Sequence, residues 1–230
     1  MEVILTYNEL KNSKRYLNIN IDGNAKLKNN NNVRFIIWNL PAIKTCPFST
    51  DMCRKSCYAK RAERYPSCKD SRETNYIKSL QDDFIENMIF TIETELNTKK
   101  FNNKKVVFRI HESGDFYSRH YYNKWVAIAK HFENNKNIVF LAYTKSIHFI
   151  EYGNKPNNLF IRFSKWADTN LNDELTAFLD NVPIYTAMNP DEIEKERVNG
   201  NKFVICRCVD CATCGLCWNP NIKDIVVKIH

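Results

Sequence analysis

The sequence predicts an α/β protein, a partial (β/α) barrel of mostly parallel strands with a cysteine-rich C-terminal extension. Three observations point there. Six short apolar runs, at 33–38, 106–110, 138–143, 159–163, 182–186 and 203–206, read as strands buried on both faces. Helical periodicity fills most of the gaps between them. Several runs turn polar at their C-terminal ends, where parallel strands present functional residues.

Taken in order, the first 30 residues carry the weakest pattern. Tyr16 to Asp22 alternates like an edge strand, and the asparagines at 29–32 form a polar turn. After the first strand comes a cysteine-rich loop, then a long helix over about 71–96. There Ile77, Leu80, Phe84, Met88, Ile92 and Leu96 recur at helical spacing, with Asp70 and Glu73 set like a capping box. A second helix starts at Ser118 and buries Tyr122, Trp125, Ile128, Ala129 and Phe132. Residues 146–152 read as a short helix closed by Gly153. Asn189-Pro190-Asp191-Glu192 starts another, with proline in the first turn beside two acids. No internal repeat or linker appears, so 1–230 reads as one domain, with 200–222 as its metal- or cluster-binding segment.

A chain of 230 residues with 43% hydrophobic and 13% aromatic residues can bury a large core, which excludes a disordered protein. The N-terminus lacks the basic and apolar regions of a signal peptide, and no segment is long and apolar enough to span a bilayer. The expected compartment is the reducing cytoplasm, where clustered cysteines bind metal rather than pair. The net charge of +8 is uneven: residues 1–80 hold 15 Lys and Arg against 7 acids, and the remainder balances. The excess gathers at Lys44, Arg54, Lys55, Lys60, Arg61, Arg64, Lys69 and Arg72. It reads as an electropositive mouth for a phosphate-bearing substrate, or equally as a solvated Lys- and Asn-rich surface.

The nine cysteines fall in two bursts. Cys46-x6-Cys53-x3-Cys57 follows the first strand, with Cys68 trailing, which reads as a small buried residue, its spacing giving no support for a fourth ligand. Three thiolates can hold three irons of a 4Fe–4S cluster and leave the fourth open. The burst lacks the paired CxxC typical of structural zinc. The second burst, Cys206, Cys208, Cys211, Cys214 and Cys217, has a ferredoxin-like x2 rhythm and suits a closed centre, iron–sulfur or zinc. The spacing leaves open whether the bursts form one centre or two.

Polar strand ends supply the other candidates: His111-Glu112-Ser113-Gly114-Asp115, Thr144-Lys145-Ser146, Ser164-Lys165-Trp166 and Met188-Asn189. Arg109 and Arg162, inside apolar strands, each need a buried partner or a polar cavity. His111 reads as a general base, a substrate contact or a structural histidine. His120, His131 and His148 fall in helical patterns and read as surface or packing residues. No P-loop, GxGxxG, HExxH or GxSxG occurs.

Together, Cys-Pro-x2-Thr-x2-Cys-x3-Cys-Tyr-Ala, Arg-Ile-His-Glu-Ser-Gly-Asp-Phe-Tyr-Ser, Tyr-Thr-Lys-Ser and the terminal Cys-x2-Cys-x2-Cys-Trp resemble the phage gene product 88 family over about 40–218. That resemblance implies a bacteriophage or prophage origin and action in the host cytoplasm. The layout also resembles compact radical S-adenosylmethionine (SAM) enzymes, in which a three-cysteine loop follows the first strand of a partial barrel. That resemblance implies a 4Fe–4S cluster on Cys46, Cys53 and Cys57, and the methionine part of SAM on Ser113-Gly114-Asp115. It places Ser164 near the SAM ribose, and Arg109, His111, Lys145 and Arg162 around the substrate. The C-terminal cysteines would be an auxiliary centre, and a reductase or ferredoxin the electron donor. The family loop is CxxxCxxC with an aromatic before the last cysteine; here the spacings are x6 and x3, with Ser56 before Cys57 and Tyr58 after it. The expectation is an iron–sulfur enzyme acting on a nucleotide or nucleic acid, with no membrane partner. The alternatives are a zinc- or cluster-stabilised module that binds nucleic acid or a host protein, and an electron carrier.

Overall fold

The computed structural model describes residues 5–229 apart from 173–175, 177, 181, 208 and 209. Strands β1 (Val33–Trp38), β2 (Lys105–Ile110), β3 (Ile138–Thr144), β4 (Leu159–Lys165), β5 (Ile184–Met188), β6 (Val204–Cys206) and β7 (Asp224–Lys228) form one parallel sheet. It runs in the order β1-β2-β3-β4-β5-β7-β6 and curls into a half-barrel. The helices are α1 (Tyr7–Lys11), α2 (Asp51–Lys55), α3 (Tyr58–Ala62), α4 (Pro66–Leu80), α5 (Phe84–Leu96), α6 (Arg119–His131), α7 (Pro190–Val198) and α8 (Cys211–Cys214). Among the described residues no helix is long and apolar enough to cross a membrane.

Strand alternation sorts the side chains into two cores. On one face Ile36, Trp38, Val106, Phe108, Ile110, Ile138, Phe140 and Ala142 pack with Phe84, Met88 and Ile92 of α5 and with Trp125 and Ile128 of α6. Trp38 and Trp125 meet edge-on at 6.4 Å, both fully buried. Each large side chain removed from water in this way contributes roughly 1.5–3 kcal/mol. The intervening residues, Val33, Phe35, Ile37, Val107, Val139 and Leu141, form a second cluster under Ala212, Cys211, Cys217 and Trp218. The cysteine-rich segment is therefore packed onto the concave face of the half-barrel.

Several elements differ from the sequence expectation. The helix over 71–96 is two helices, because Gln81 is extended (ψ 153°) and Lys124 of α6 donates into the break, to the carbonyls of Ser79 and Gln81. Ile77 and Leu80 lie exposed, and the buried face of α4 is polar, at Arg72, Asn75 and Ser79. That helix starts at Pro66, so Asp70 and Glu73 lie inside it and form no capping box. Residues 146–152 become two 3₁₀ turns, Ile147–Phe149 and Tyr152–Asn154, with Gly153 inside the second. Tyr16 to Asp22 makes only a single antiparallel bridge, Asn20 to Ile37. The fifth strand sits at Ile184–Met188, and β7, unanticipated, inserts between β5 and β6.

Candidate functional site

A cavity of about 310 Å³ lies along the concave face. Its walls come from the loop after β1, the turn after β2, the ends of β3 and β4, and the C-terminal segment. The eight described cysteines are thiols with no disulfide among them, and seven of them line this cavity: Cys46, Cys53, Cys57, Cys206, Cys211, Cys214 and Cys217. Cys68 sits on α4 away from it, partly exposed rather than buried. Cys208 lies outside the described residues. The two bursts, far apart in sequence, share one space.

The loop after β1 is built from two five-residue helices. Thr50 caps α2 by accepting from the Cys53 backbone N–H at 3.3 Å. Cys57 caps α3, its Sγ accepting from Lys60 N–H at 3.4 Å. Such short helices are not stable alone, and polar straps hold them. Glu63 Oε1 accepts from Ala42 N at 2.7 Å and from Arg72 Nη1 at 3.0 Å, while Arg72 also donates to Ala59 O. Asp168, beyond β4, accepts from Met52 N at 2.7 Å. The chain enters the loop through Ile43 at φ +66°, a left-handed conformation that a β-branched residue adopts only under constraint.

The turn after β2 is welded to the approach to Cys46. Asn39 Oδ1 accepts from Glu112 N and Ser113 N at 3.0 and 2.9 Å, and Ser113 Oγ donates to Leu40 O at 2.8 Å. Gly114, at φ +89°, lies so close that a Cβ would come within 2.7 Å of both Leu40 Cβ and Thr45 Oγ1. Asp115 then joins three strand ends. Its carboxylate accepts from Thr144 Oγ1 at 2.6 Å, Lys145 N at 2.8 Å and Phe116 N at 2.7 Å, while its own N–H donates to Thr45 O. Burial pushes this carboxyl above its ordinary range against those hydrogen bonds. Ser113, Gly114 and Asp115 thus line the cavity, but their side chains, or the lack of one, are spent on bracing the turn.

Lys145 extends over this brace. Its Nζ donates to Ser164 Oγ at 2.9 Å, lies 5.6 Å from the Trp166 ring centroid, and opposes the upward push that burial gives the Cys53 thiol. Arg109 projects into the cavity from β2 with its guanidinium 3.8 Å from the Tyr143 ring centroid. Among the described residues it has no hydrogen-bond or ion-pair partner.

One residue takes another part than the resemblance suggests. Arg162 does not line the cavity. Its guanidinium donates to the carbonyls of Cys217, Lys223, Leu216 and Ile222 at 2.8–3.0 Å, clamping the C-terminal segment to β4. His111, on the cavity wall, is buried and sits at φ +63°, and burial and the nearby Arg109 push its pKa down to about 3. Its Nε2 lies 2.9 Å from the Tyr121 hydroxyl, which already accepts from Trp38 Nε1. That contact ties the His111 ring to α6, while its Nδ1 is buried without a partner among the described residues. Of the other histidines, His131 pairs with Glu93 at the surface and His148 packs on Phe48.

Of the aromatic part of the wall, Tyr143, Trp166, Tyr185 and Trp218, sequence reading singled out only Trp166. A signal existed for two of them, because Tyr143 and Tyr185 fall on the same alternation as Leu141 and Ala187.

Among the described residues, no three His, Cys, Asp or Glu side chains are drawn together tightly enough to hold a metal ion. The donor chemistry does fit a soft metal. Burial pushes Cys46 up to about 12 and Cys211 up to about 11, and raises Cys53 and Cys217 as well. Thiols so placed stay neutral until a bound cation deprotonates them. Within each burst they also lie in electrostatic reach of one another, Cys46 of Cys53 and Cys57, and Cys211 of Cys206, Cys214 and Cys217.

The sequence model of the family described as gene product 88 matches residues 11–220, a wider span than the motifs alone mark out. Among curated proteins, the Gene 88 proteins of Mycobacterium phages D29 and L5 are each 27% identical to this chain over 225 residues, covering 89% of it and 89% of their own length. No solved structure matches the chain.

Proposed function

The chain belongs to the gene product 88 family, and from that premise we propose that it is an iron–sulfur enzyme of the radical SAM type acting on a phosphate-bearing substrate, a nucleotide or nucleic acid. The observation that carries this reading is the convergence of seven thiols from both ends of the chain on one cavity of a parallel half-barrel. Cys46, Cys53 and Cys57 would hold the cluster that leaves a coordination position open. Cys206, Cys211, Cys214 and Cys217 would hold a second, closed centre. When bound, the cluster and SAM would supply one-electron chemistry ending in removal of a hydrogen atom from the substrate.

The protein's own residues orient and enclose. The welded turn at Ser113, Gly114 and Asp115 fixes the thiol loop against the ends of β2 and β3. Lys145 presents an ammonium beside Cys53, held in place by Ser164. Arg109 offers an unpaired guanidinium, braced on Tyr143, to an anionic group of the substrate. His111, bonded to the Tyr121 hydroxyl, holds the turn after β2 against α6. Leu141, Ala187, Ile225, Val227, Trp166 and Trp218 provide an apolar lining that keeps water from the reacting centre.

The test is anaerobic purification with quantification of iron, sulfide and zinc, followed by addition of SAM and a reductant. Iron and sulfide with formation of 5′-deoxyadenosine is the expected result. Zinc without iron or sulfide sinks the reading in favour of a zinc-stabilised binding module. A cluster without SAM cleavage leaves an electron carrier.

A further inference from the structure

The basic first third of the chain separates, once folded, into spent and unspent charge. Lys44 pairs with Glu73 at 2.6 Å, Arg54 with Asp51, and the buried Arg72 with Glu63 at 3.0 Å. Lys55, Lys60, Arg61, Arg64 and Lys69 are all exposed, and none forms an ion pair among the described residues. Between residues 51 and 72 the one acid left unpaired is Asp70. These five cations run from the end of α2, along α3, into the first turn of α4.

That exposed, basic segment begins at the cavity, since Cys53, Ser56, Cys57, Tyr58 and Ala59 are part of its lining. It also carries Tyr65, 71% exposed, at the junction of α3 and α4. The Tyr65 side chain does not cap α4 and has no partner among the described residues. A large aromatic left bare among unpaired cations is the combination that binds single-stranded nucleic acid, with phosphates on the cations and a base on the ring. An acidic protein would use the cations but not the ring.

We propose that the face from Lys55 to Lys69 is a track for single-stranded nucleic acid, along which one nucleotide is delivered into the cavity. This rests on the reading that the cavity acts on a phosphate-bearing substrate. A single strand suits the track because a base in a duplex would first have to be unpaired and unstacked, at a cost of a few kcal/mol. Arg109, unpaired within the cavity, is placed to take the phosphate of the inserted nucleotide.

The test is fluorescence anisotropy of the purified full chain with labelled 20-nucleotide single strands, the matching duplex and a poly-glutamate peptide, over a salt series. It needs neither SAM nor reductant, so it succeeds or fails independently of the metal and SAM-cleavage assays. The single strand should bind more tightly than either competitor, with log affinity falling on log salt at a slope of about −3.5, near −0.7 per phosphate neutralised. The combined change Lys60→Ala, Arg61→Ala and Arg64→Ala should flatten that slope by about 2. Tyr65→Ala should weaken binding about tenfold while leaving the slope in place. All four side chains are exposed, so thermal melts of the variants should overlay the parent. Equal binding of duplex or poly-glutamate, or a triple variant with the parent slope, overturns the track.

Discussion

The two thiol-bearing regions are held in opposite ways. The C-terminal segment is part of the core: Ala212 and Trp218 pack on Phe35 and Ile37, and Arg162 grips four of its carbonyls within 3.0 Å. The loop carrying Cys46, Cys53 and Cys57 rests on no such bed. Two five-residue helices are tied down by Glu63, Asp168 and the turn at Asp115. A segment bound by packing is suited to a permanent, closed centre. One bound by a few polar straps, with strain at Ile43, is suited to a centre that admits a ligand. Shared chemistry in one cavity does not make the two regions equivalent.

The largest expected effect tests that separation directly. Cys53→Ala should abolish SAM cleavage and lower bound iron to the content of the C-terminal centre alone, read by metal analysis and by the electron paramagnetic resonance spectrum after reduction. If all the iron is lost together, the seven thiols serve a single centre and the contrast collapses.

The next effect falls on the other region. Arg162→Met fills the same space but leaves several buried carbonyls without a donor, at a cost of about 3–5 kcal/mol. A urea titration of the variant should show it, with the N-terminal centre still loading metal in protein that remains folded. A loss under 1 kcal/mol would mean that the clamp is incidental.

Why Arg162 and Arg109 part company was not legible in the sequence. Both lie in apolar strands on the cavity-facing alternation, and in sequence they carry the same signal. What separates them is the return of residues 216–223 beneath β4, a contact spanning more than fifty positions. The strands with continuous apolar runs were legible because burial on both faces leaves little choice of residue, as in Val106 to Ile110. The break between α4 and α5 was not, since Gln81-Asp82-Asp83 contains no glycine or proline and the lysine that fills it comes from α6. β7 was missed for a similar reason. Asp-Ile-Val-Val-Lys is short and polar-ended, and only the completed sheet offers it a place between β5 and β6. For the site, the cysteine spacing announced two clusters; that they share a cavity is a consequence of the fold.

A smaller effect concerns how the turn beside the N-terminal loop is anchored to the helix-covered core. His111 has its pKa pushed down to about 3, whereas in the unfolded chain it titrates near 6.5. Below pH 6.5 the unfolded state takes up a proton that the native state refuses, so stability is full above that pH and falls as pH drops toward 3. The slope from this one group approaches about 1.4 kcal/mol per pH unit. His111→Asn, which tolerates the positive φ, should flatten the dependence in urea titrations between pH 6.5 and 4. An unchanged slope would place the acid sensitivity elsewhere.

The smallest expected effect is the one that isolates placement from mere thiol content. Cys68 lies on α4, partly exposed, and does not line the cavity that the other seven described cysteines share. Alanine is the best helix former and removes no cavity contact at this position, so Cys68→Ala should change stability by no more than about 0.5 kcal/mol. Iron, sulfide and zinc per chain should match the parent. Were metal content to fall with Cys68, the N-terminal loop would own a fourth thiolate and a closed centre of its own. The difference between an open and a closed region would then have to be rebuilt on other grounds.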